Sequence, residues 1–202
     1  MSNKKYGLIG GTFDPVHIGH LLNAQYVIEF LDLRRFYYVP AFIPPHKQNI
    51  FITPYHHRLK MLELACMNNE KFAILNLEME RGMVSYTVET LKELRKLWGE
   101  KVEIFYLLGI DSFLELPTWK NPREISSLAR LVVLRRNQKQ YSLEEFKKVS
   151  DLLVPSSVME IPSRVIDVTA SEIRKRVKDG LSIKYMVTKE VEDYIYTNKL
   201  YI

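Results

Sequence analysis

Short apolar runs rich in β-formers alternate with runs of helical spacing along most of this chain, and that alternation restricts the fold more than any other feature. Residues 6–9, 35–39, 72–77, 102–108, 131–134 and 158–161 read as strands, the run at 102–108 ending at Gly109. Between them, residues 21–31, 58–68 and 143–153 read as helices, as does an amphipathic stretch marked by Val88, Leu91, Leu94, Arg95 and Trp98 that stops at Gly99. In 58–68 the expected buried stripe is Leu59, Leu62, Ala65 and Cys66. Strands that are apolar throughout need cover on both faces, and helical crossovers between parallel strands supply it. The expected architecture is therefore α/β, a Rossmann-like parallel sheet with helices on both faces. Residues 170–178 and 189–197 read as helices with no strand after them, a small helical C-terminal extension starting near residue 165. The stretch 40–55, with four prolines, is long for a loop in a compact domain and reads as functional or mobile.

Composition narrows the class of protein. A chain of 202 residues can bury a large core, and 47% apolar with 26% charged residues is ordinary for a soluble enzyme. No apolar run is long enough to span a bilayer, and no secretory leader precedes the first strand, so a cytoplasmic protein without a membrane partner is expected. The single cysteine, Cys66, excludes an intrachain disulfide and a cysteine zinc cluster. The net charge of +5 comes from basic residues interleaved with acidic ones rather than from a block. That pattern suits a polyanionic small molecule better than a nucleic acid.

Chemistry concentrates where the first strand hands over to the first helix. The run there is Gly10-Gly11-Thr12-Phe13-Asp14-Pro15-Val16-His17-Ile18-Gly19-His20. Such junctions bind phosphates, because backbone N–H groups point outward and the helix dipole favours negative charge. The run is neither the dinucleotide fingerprint nor a P-loop. His17 and His20, three apart, share a face if the helix starts near His17. They can be read as a metal pair, an acid/base pair or donors to phosphate. Asp14 is the one further metal ligand nearby, so no metal site is expected, and donation to phosphate oxygens fits best. The segment Leu108-Gly109-Ile110-Asp111 lies at a second strand end of the same kind.

The pattern Gly-x-Phe-x-Pro-x-His-x-Gly-His resembles the signature of the nucleotidyltransferase superfamily, an α/β fold related to class I aminoacyl-tRNA synthetases. The stretch Val168-Thr169-Ala170-Ser171-Glu172-Ile173-Arg174 is similar to the superfamily's second signature, with Ala170 replacing a hydroxyl residue. Within the superfamily, Pro44-Pro45-His46-Lys47, Ser85-Tyr86-Thr87-Val88-Glu89-Thr90-Leu91, Leu108-Gly109-Ile110-Asp111-Ser112 and Leu116-Pro117-Thr118-Trp119 resemble the bacterial nicotinate-nucleotide adenylyltransferases. The likeness runs from the first strand to the tail, including the closing Tyr194-Ile195 and Leu200-Tyr201, covers nearly the whole chain and implies one nucleotidyltransferase domain over 1–202. It implies that His17, His20 and Arg174 act on the triphosphate, and that Gly10, Gly11, Thr12, Phe13, Gly109, Asp111, Thr169 and Ser171 bind ATP. It implies that Lys47, Ser85, Tyr86, Thr87 and Trp119 bind nicotinate mononucleotide.

The residues make sense of those roles. Ser85-Tyr86-Thr87 opens a helix whose free N–H groups suit a carboxylate. Trp119 offers a flat electron-rich face to a pyridinium. Asp111 could meet the adenosine ribose or orient Mg²⁺ through water. Lys47 reads equally as a phosphate contact or as a solvated lysine. The implied reaction is attack by the mononucleotide phosphate on the α-phosphorus of ATP, with Mg²⁺ held mainly by substrate phosphates. Three rivals stand beside it: an adenylyltransferase for nicotinamide mononucleotide or phosphopantetheine, an RNA-binding synthetase relative, and a nucleotide sensor without turnover. No role emerges for His56 and His57 beyond a surface or capping one, and assembly into a homo-oligomer stays open.

Overall fold

The computed structural model describes residues 4–45, 51–135, 142–162 and 166–202. Among these residues six strands form one parallel sheet: β1 (Lys5–Gly11), β2 (Arg35–Pro40), β3 (Phe72–Ile74), β4 (Glu103–Gly109), β5 (Arg130–Arg135) and β6 (Val158–Pro162). Their order is β3-β2-β1-β4-β5-β6, with Leu8 of β1 opposite Tyr37 of β2 and Tyr106 of β4. The chain works outward from β1 on one side, then crosses back to lay β4 on the other. The strand order therefore reverses between β1 and β4, while the strands stay parallel, and ligands collect at such a point in folds of this type.

Side chains alternate across the pleat, so each central strand feeds two cores. Phe105, Leu107, Val132 and Leu134 face one layer, while Ile104, Tyr106, Leu108, Leu131 and Val133 face the other. This is why β4 and β5 are apolar at nearly every position. Burying one such side chain stabilises the fold by about 1.5–3 kcal/mol. On the first face lie α1 (Ile18–Leu31), α2 (Tyr55–Cys66), α8 (Ala170–Lys178) and α9 (Lys189–Thr197). On the second, α4 (Thr87–Trp98) and α6 (Pro122–Leu128) pack against each other, with α5 (Ile110–Leu114) and α7 (Leu143–Asp151) beyond. The helical C-terminal part adds Ile173, Val177, Ile183, Val187, Val191 and Ile195 to the first core, and α9 lies against α2. No helix among the described residues is long and apolar enough to cross a membrane.

Several local expectations shift. The apolar run 72–77 is not all strand: β3 pairs with β2 only from Phe72 to Ile74, and the chain then turns into the short helix α3 (Leu77–Arg81). Leu77 is apolar because it enters the second core, not because it lies in the sheet. The first helix starts at Ile18, three residues before the apolar periodicity does. On α2 the buried face is Arg58, Met61, Leu62 and Cys66, with Leu59 and Ala65 only half-buried. The missed helix α6 begins at Pro122, a residue suited to a first helical position.

Candidate active site

A cavity of about 570 Å³ opens at the C-terminal ends of β1 and β4. Its volume suits a nucleotide-sized ligand. Gly10, Gly11 and Thr12 form part of its floor, and Gly109 and Asp111 one wall. Gly10 allows a close approach: a Cβ there would lie 2.7 Å from the Tyr106 hydroxyl, so that side chain would have to shift. At Gly109 a Cβ would meet nothing within 4 Å, so the backbone there lies open to a ligand.

The helix α1 points its N-terminus at this cavity. Its first turn contains no acidic side chain, so nothing within the helix offsets the positive end of its dipole. His17 is the N-cap residue and His20 lies one turn on, with ring centroids 3.8 Å apart. Both line the cavity. The backbone N–H of His17 donates to His20 Nδ1 at 3.2 Å. A ring nitrogen that accepts carries no proton, so the neutral His20 holds its proton on Nε2. Burial, and secondarily the neighbouring His17, keeps His20 well below the ordinary histidine range. His20 is therefore a neutral donor, able to offer Nε2–H to an oxygen without a proton transfer.

The second signature segment meets the first through one side chain. Arg174, on α8, donates from Nη1 to the carbonyl of Asp14 at 2.7 Å and from Nη2 to Ser171 Oγ at 3.2 Å. Thr169 lines the cavity, but its hydroxyl caps α8 by accepting from the Glu172 N–H. Neither Arg174, which is half-buried, nor Ser171, which is exposed, lines the cavity among the described residues. Phe13, named with the ATP-binding residues, is only 3% exposed. It packs beneath the cavity with its ring edge-on to His20, centroids 5.1 Å apart.

At the far end the cavity is lined by Ser85, Tyr86, Thr87, Trp119 and Lys120. The N–H groups of Ser85 and Tyr86 are already taken by Ile43 and Val84 carbonyls. The Ser85 hydroxyl accepts from the Phe42 and Ile43 N–H groups. The unpaired donors at the start of α4 are consequently the N–H groups of Thr87 and Val88, among the described residues. Trp119 stands edge-on to Tyr106, and its buried indole N–H has no partner among the described residues. Lys47 lies outside the described residues.

Sequence reasoning missed several groups that shape this site. Arg58 is 2% exposed and donates to the carbonyls of Thr53, Thr12 and Ala41 at 2.8–2.9 Å. Its signal was a cation on the apolar face of a helix, at the spacing of Met61 and Leu62. Burial pulls the Arg58 pKa down, and the Asp14 charge opposes that. Asp14 is buried too, and Tyr201 donates to its Oδ1 at 2.7 Å. Glu78, on the missed helix α3, lines the cavity and accepts from Thr90 Oγ1 at 2.8 Å. Burial raises its carboxyl pKa against the hydrogen bonds from Ser85 and Thr90. His57 proves to be a packing residue, with Nδ1 2.9 Å from the Tyr194 hydroxyl on α9.

A cytidylyltransferase-like family model matches residues 8–176. The probable nicotinate-nucleotide adenylyltransferase of Thermomicrobium roseum is 41% identical over 198 residues, covering 98% of this chain and 91% of that one. Its counterpart in Dictyoglomus thermophilum is 37% identical over 198 residues, covering 98% and 100%. Among solved structures, the Plasmodium falciparum nicotinic acid mononucleotide adenylyltransferase complexed with NaAD matches over 98% of this chain and 97% of that one. Its TM-score of 0.80 at 20% identity shows the shared fold. Signature, sheet order and near-full-length likeness agree: the chain belongs to the nicotinate-nucleotide adenylyltransferase family, within the cytidylyltransferase-like nucleotidyltransferases.

Proposed function

We propose that this protein transfers the adenylyl group of ATP to nicotinate mononucleotide, forming nicotinate adenine dinucleotide and pyrophosphate in NAD biosynthesis. The observation that carries the reading is one cavity with two helix N-termini: α1 with His17 and His20 at one end, α4 with Trp119 at the other. Two anionic groups, a triphosphate and an acceptor carboxylate, suit those two positive ends. The attacking phosphate is ionised at neutral pH, so the reaction needs no general base and no covalent intermediate. Catalysis is then in-line positioning together with stabilisation of charge at the transferred phosphorus.

In this reading His20 donates Nε2–H to the triphosphate, and the N-terminal turn of α1 adds its dipole. Arg174 holds the Asp14 carbonyl and so keeps the two signature segments together. Thr87 and Val88 offer N–H groups to the acceptor carboxylate, and the Trp119 ring packs on the pyridinium. Asp111, an exposed carboxylate on the cavity wall, is a hard oxygen donor suited to a Mg²⁺ ion carried on phosphate oxygens. Such an ion would neutralise charge on the leaving pyrophosphate.

A coupled pyrophosphate-release assay tests the reading, with ATP and each of nicotinate mononucleotide, nicotinamide mononucleotide and phosphopantetheine. Release fastest with nicotinate mononucleotide is expected. Preference for either other acceptor would overturn the substrate, and release with none would overturn the reaction.

A further inference from the structure

The turn that follows β1 is held from outside the cavity by Arg174 and by two further residues, Arg58 and Tyr201, with no part in the chemistry described above. Phe13 has φ +49°, a conformation costly for a bulky side chain and kept only when its surroundings over-determine it. The residues on either side of it are gripped. Arg58 Nη1 donates to the Thr12 carbonyl at 2.8 Å. Asp14 is held at three atoms: its carbonyl by Arg174, Oδ1 by the Tyr201 hydroxyl at 2.7 Å, and Oδ2 by the Thr53 N–H at 3.2 Å. Arg58 also grips the Ala41 and Thr53 carbonyls, so the segments after β2 and before α2 join the same buried assembly. The ring that the turn fixes is the one against which His20 rests.

We propose that Tyr201 and Arg58 are positioning residues for adenylyl transfer: they hold the strained Phe13 turn, and through the Phe13 ring they set the place of His20. The proposal rests on the function read for His20 above. It makes turnover depend on a tyrosine that follows α9, 187 positions along the chain from the carboxylate it serves. Displacement of a reacting group by about 1 Å costs up to 10²-fold in rate. Losing one of several grips is accordingly expected to lower kcat by about five- to twenty-fold.

The test compares full-length Tyr201→Phe with Ile195→Val, a conservative change at a fully buried position of α9 whose side chain makes no hydrogen bond to the turn. Steady-state kinetics with ATP and nicotinate mononucleotide, thermal unfolding and the ¹⁵N signals of the His20 ring are recorded for each. Tyr201→Phe is expected to lower kcat about five- to twenty-fold with KM for nicotinate mononucleotide within two-fold, and to shift the His20 ring signals. Ile195→Val is expected to lower the melting temperature while leaving kcat and those signals at wild-type values. Arg58→Lys keeps the charge but not the planar fork, and is expected to resemble Tyr201→Phe. Wild-type kcat and unmoved His20 signals in Tyr201→Phe would overturn the proposal and leave Tyr201 a stability residue. Shifted His20 signals in a protein whose wild type releases no pyrophosphate would overturn the function instead and leave the positioning intact.

Discussion

At the phosphate end of the cavity the supporting groups reach across the fold: the buried Arg58 holds the Thr12 and Ala41 carbonyls, the half-buried Arg174 holds the Asp14 carbonyl, and the half-buried Tyr201 holds the Asp14 carboxylate. At the acceptor end the buried contacts of Ser85 and Glu78 are joined by an exposed ion pair. Lys120 pairs with Glu89 at 2.9 Å and lies over the Tyr86 ring, with both charged side chains more than a third exposed. The difference follows from what each end has to do. Charge at a transferring phosphorus is stabilised by donors that do not reorganise during the step, so rigidity there acts on the transition state. An acceptor ring has only to be recognised, and stacking with modest charge complementarity suffices. The phosphate end should govern kcat and stability, and the acceptor end affinity and choice of substrate.

The largest effect is expected from breaking the rigid end. Arg58→Ala would strip buried carbonyls of their charged donor and remove one of the two cations near Asp14, Arg174 being the other, at a cost of about 3–5 kcal/mol in urea unfolding. A cost under about 1 kcal/mol would show that the buried assembly does not hold the turn. Next comes His20→Ala, expected to lower kcat by about 10²–10³-fold with little change in KM for nicotinate mononucleotide, as for loss of a preorganised donor. The same histidine gives a stability signature. Its folded pKa lies below the unfolded value, so the unfolded chain binds more protons once pH drops below about 6.5. Stability should fall with pH from there, and His20→Ala should flatten part of that fall.

Trp119→Ala should then show the other behaviour. Calorimetry is expected to find nicotinate mononucleotide bound about ten-fold more weakly and ATP nearly unchanged; equal losses for both would remove the distinction between the ends. The smallest effect concerns Lys120. Lys120→Met removes the ion-pair partner of Glu89 in the first turn of α4, beside the N–H groups read as carboxylate donors, leaving only the more distant Lys92 and Arg81. The ratio of kcat/KM for nicotinate over nicotinamide mononucleotide should fall about three- to six-fold, and the fall should shrink at high salt, because the pair is exposed.

The two ends also differ in how readable they were. The Gly10 to His20 run announces a phosphate site because its residue types are unusual and adjacent in sequence. The parallel sheet was equally plain, since β4 and β5 are apolar on both faces. Arg58, Tyr201 and Glu78 gave far less away, because their importance comes from contacts made across the fold. Tyr201 meets Asp14 only once α9 has packed on α2, and no local pattern encodes that. Glu78 was hidden by the apolar run 72–77, which cannot be told from a strand by periodicity alone. Ser85 was read for its N–H, yet its N–H and hydroxyl both hold the segment at residues 42–43, a pairing only the folded chain reveals.

The division between the ends is tested most directly by kinetics of the double variant His20→Ala/Trp119→Ala against the two single variants. If one end sets turnover and the other affinity, the kcat of the double variant should match that of His20→Ala and its KM for nicotinate mononucleotide that of Trp119→Ala, each within about two-fold, as for uncoupled sites. A double variant whose loss in kcat/KM falls well short of the product of the single losses would show that the two ends act as one unit, and would contradict the account.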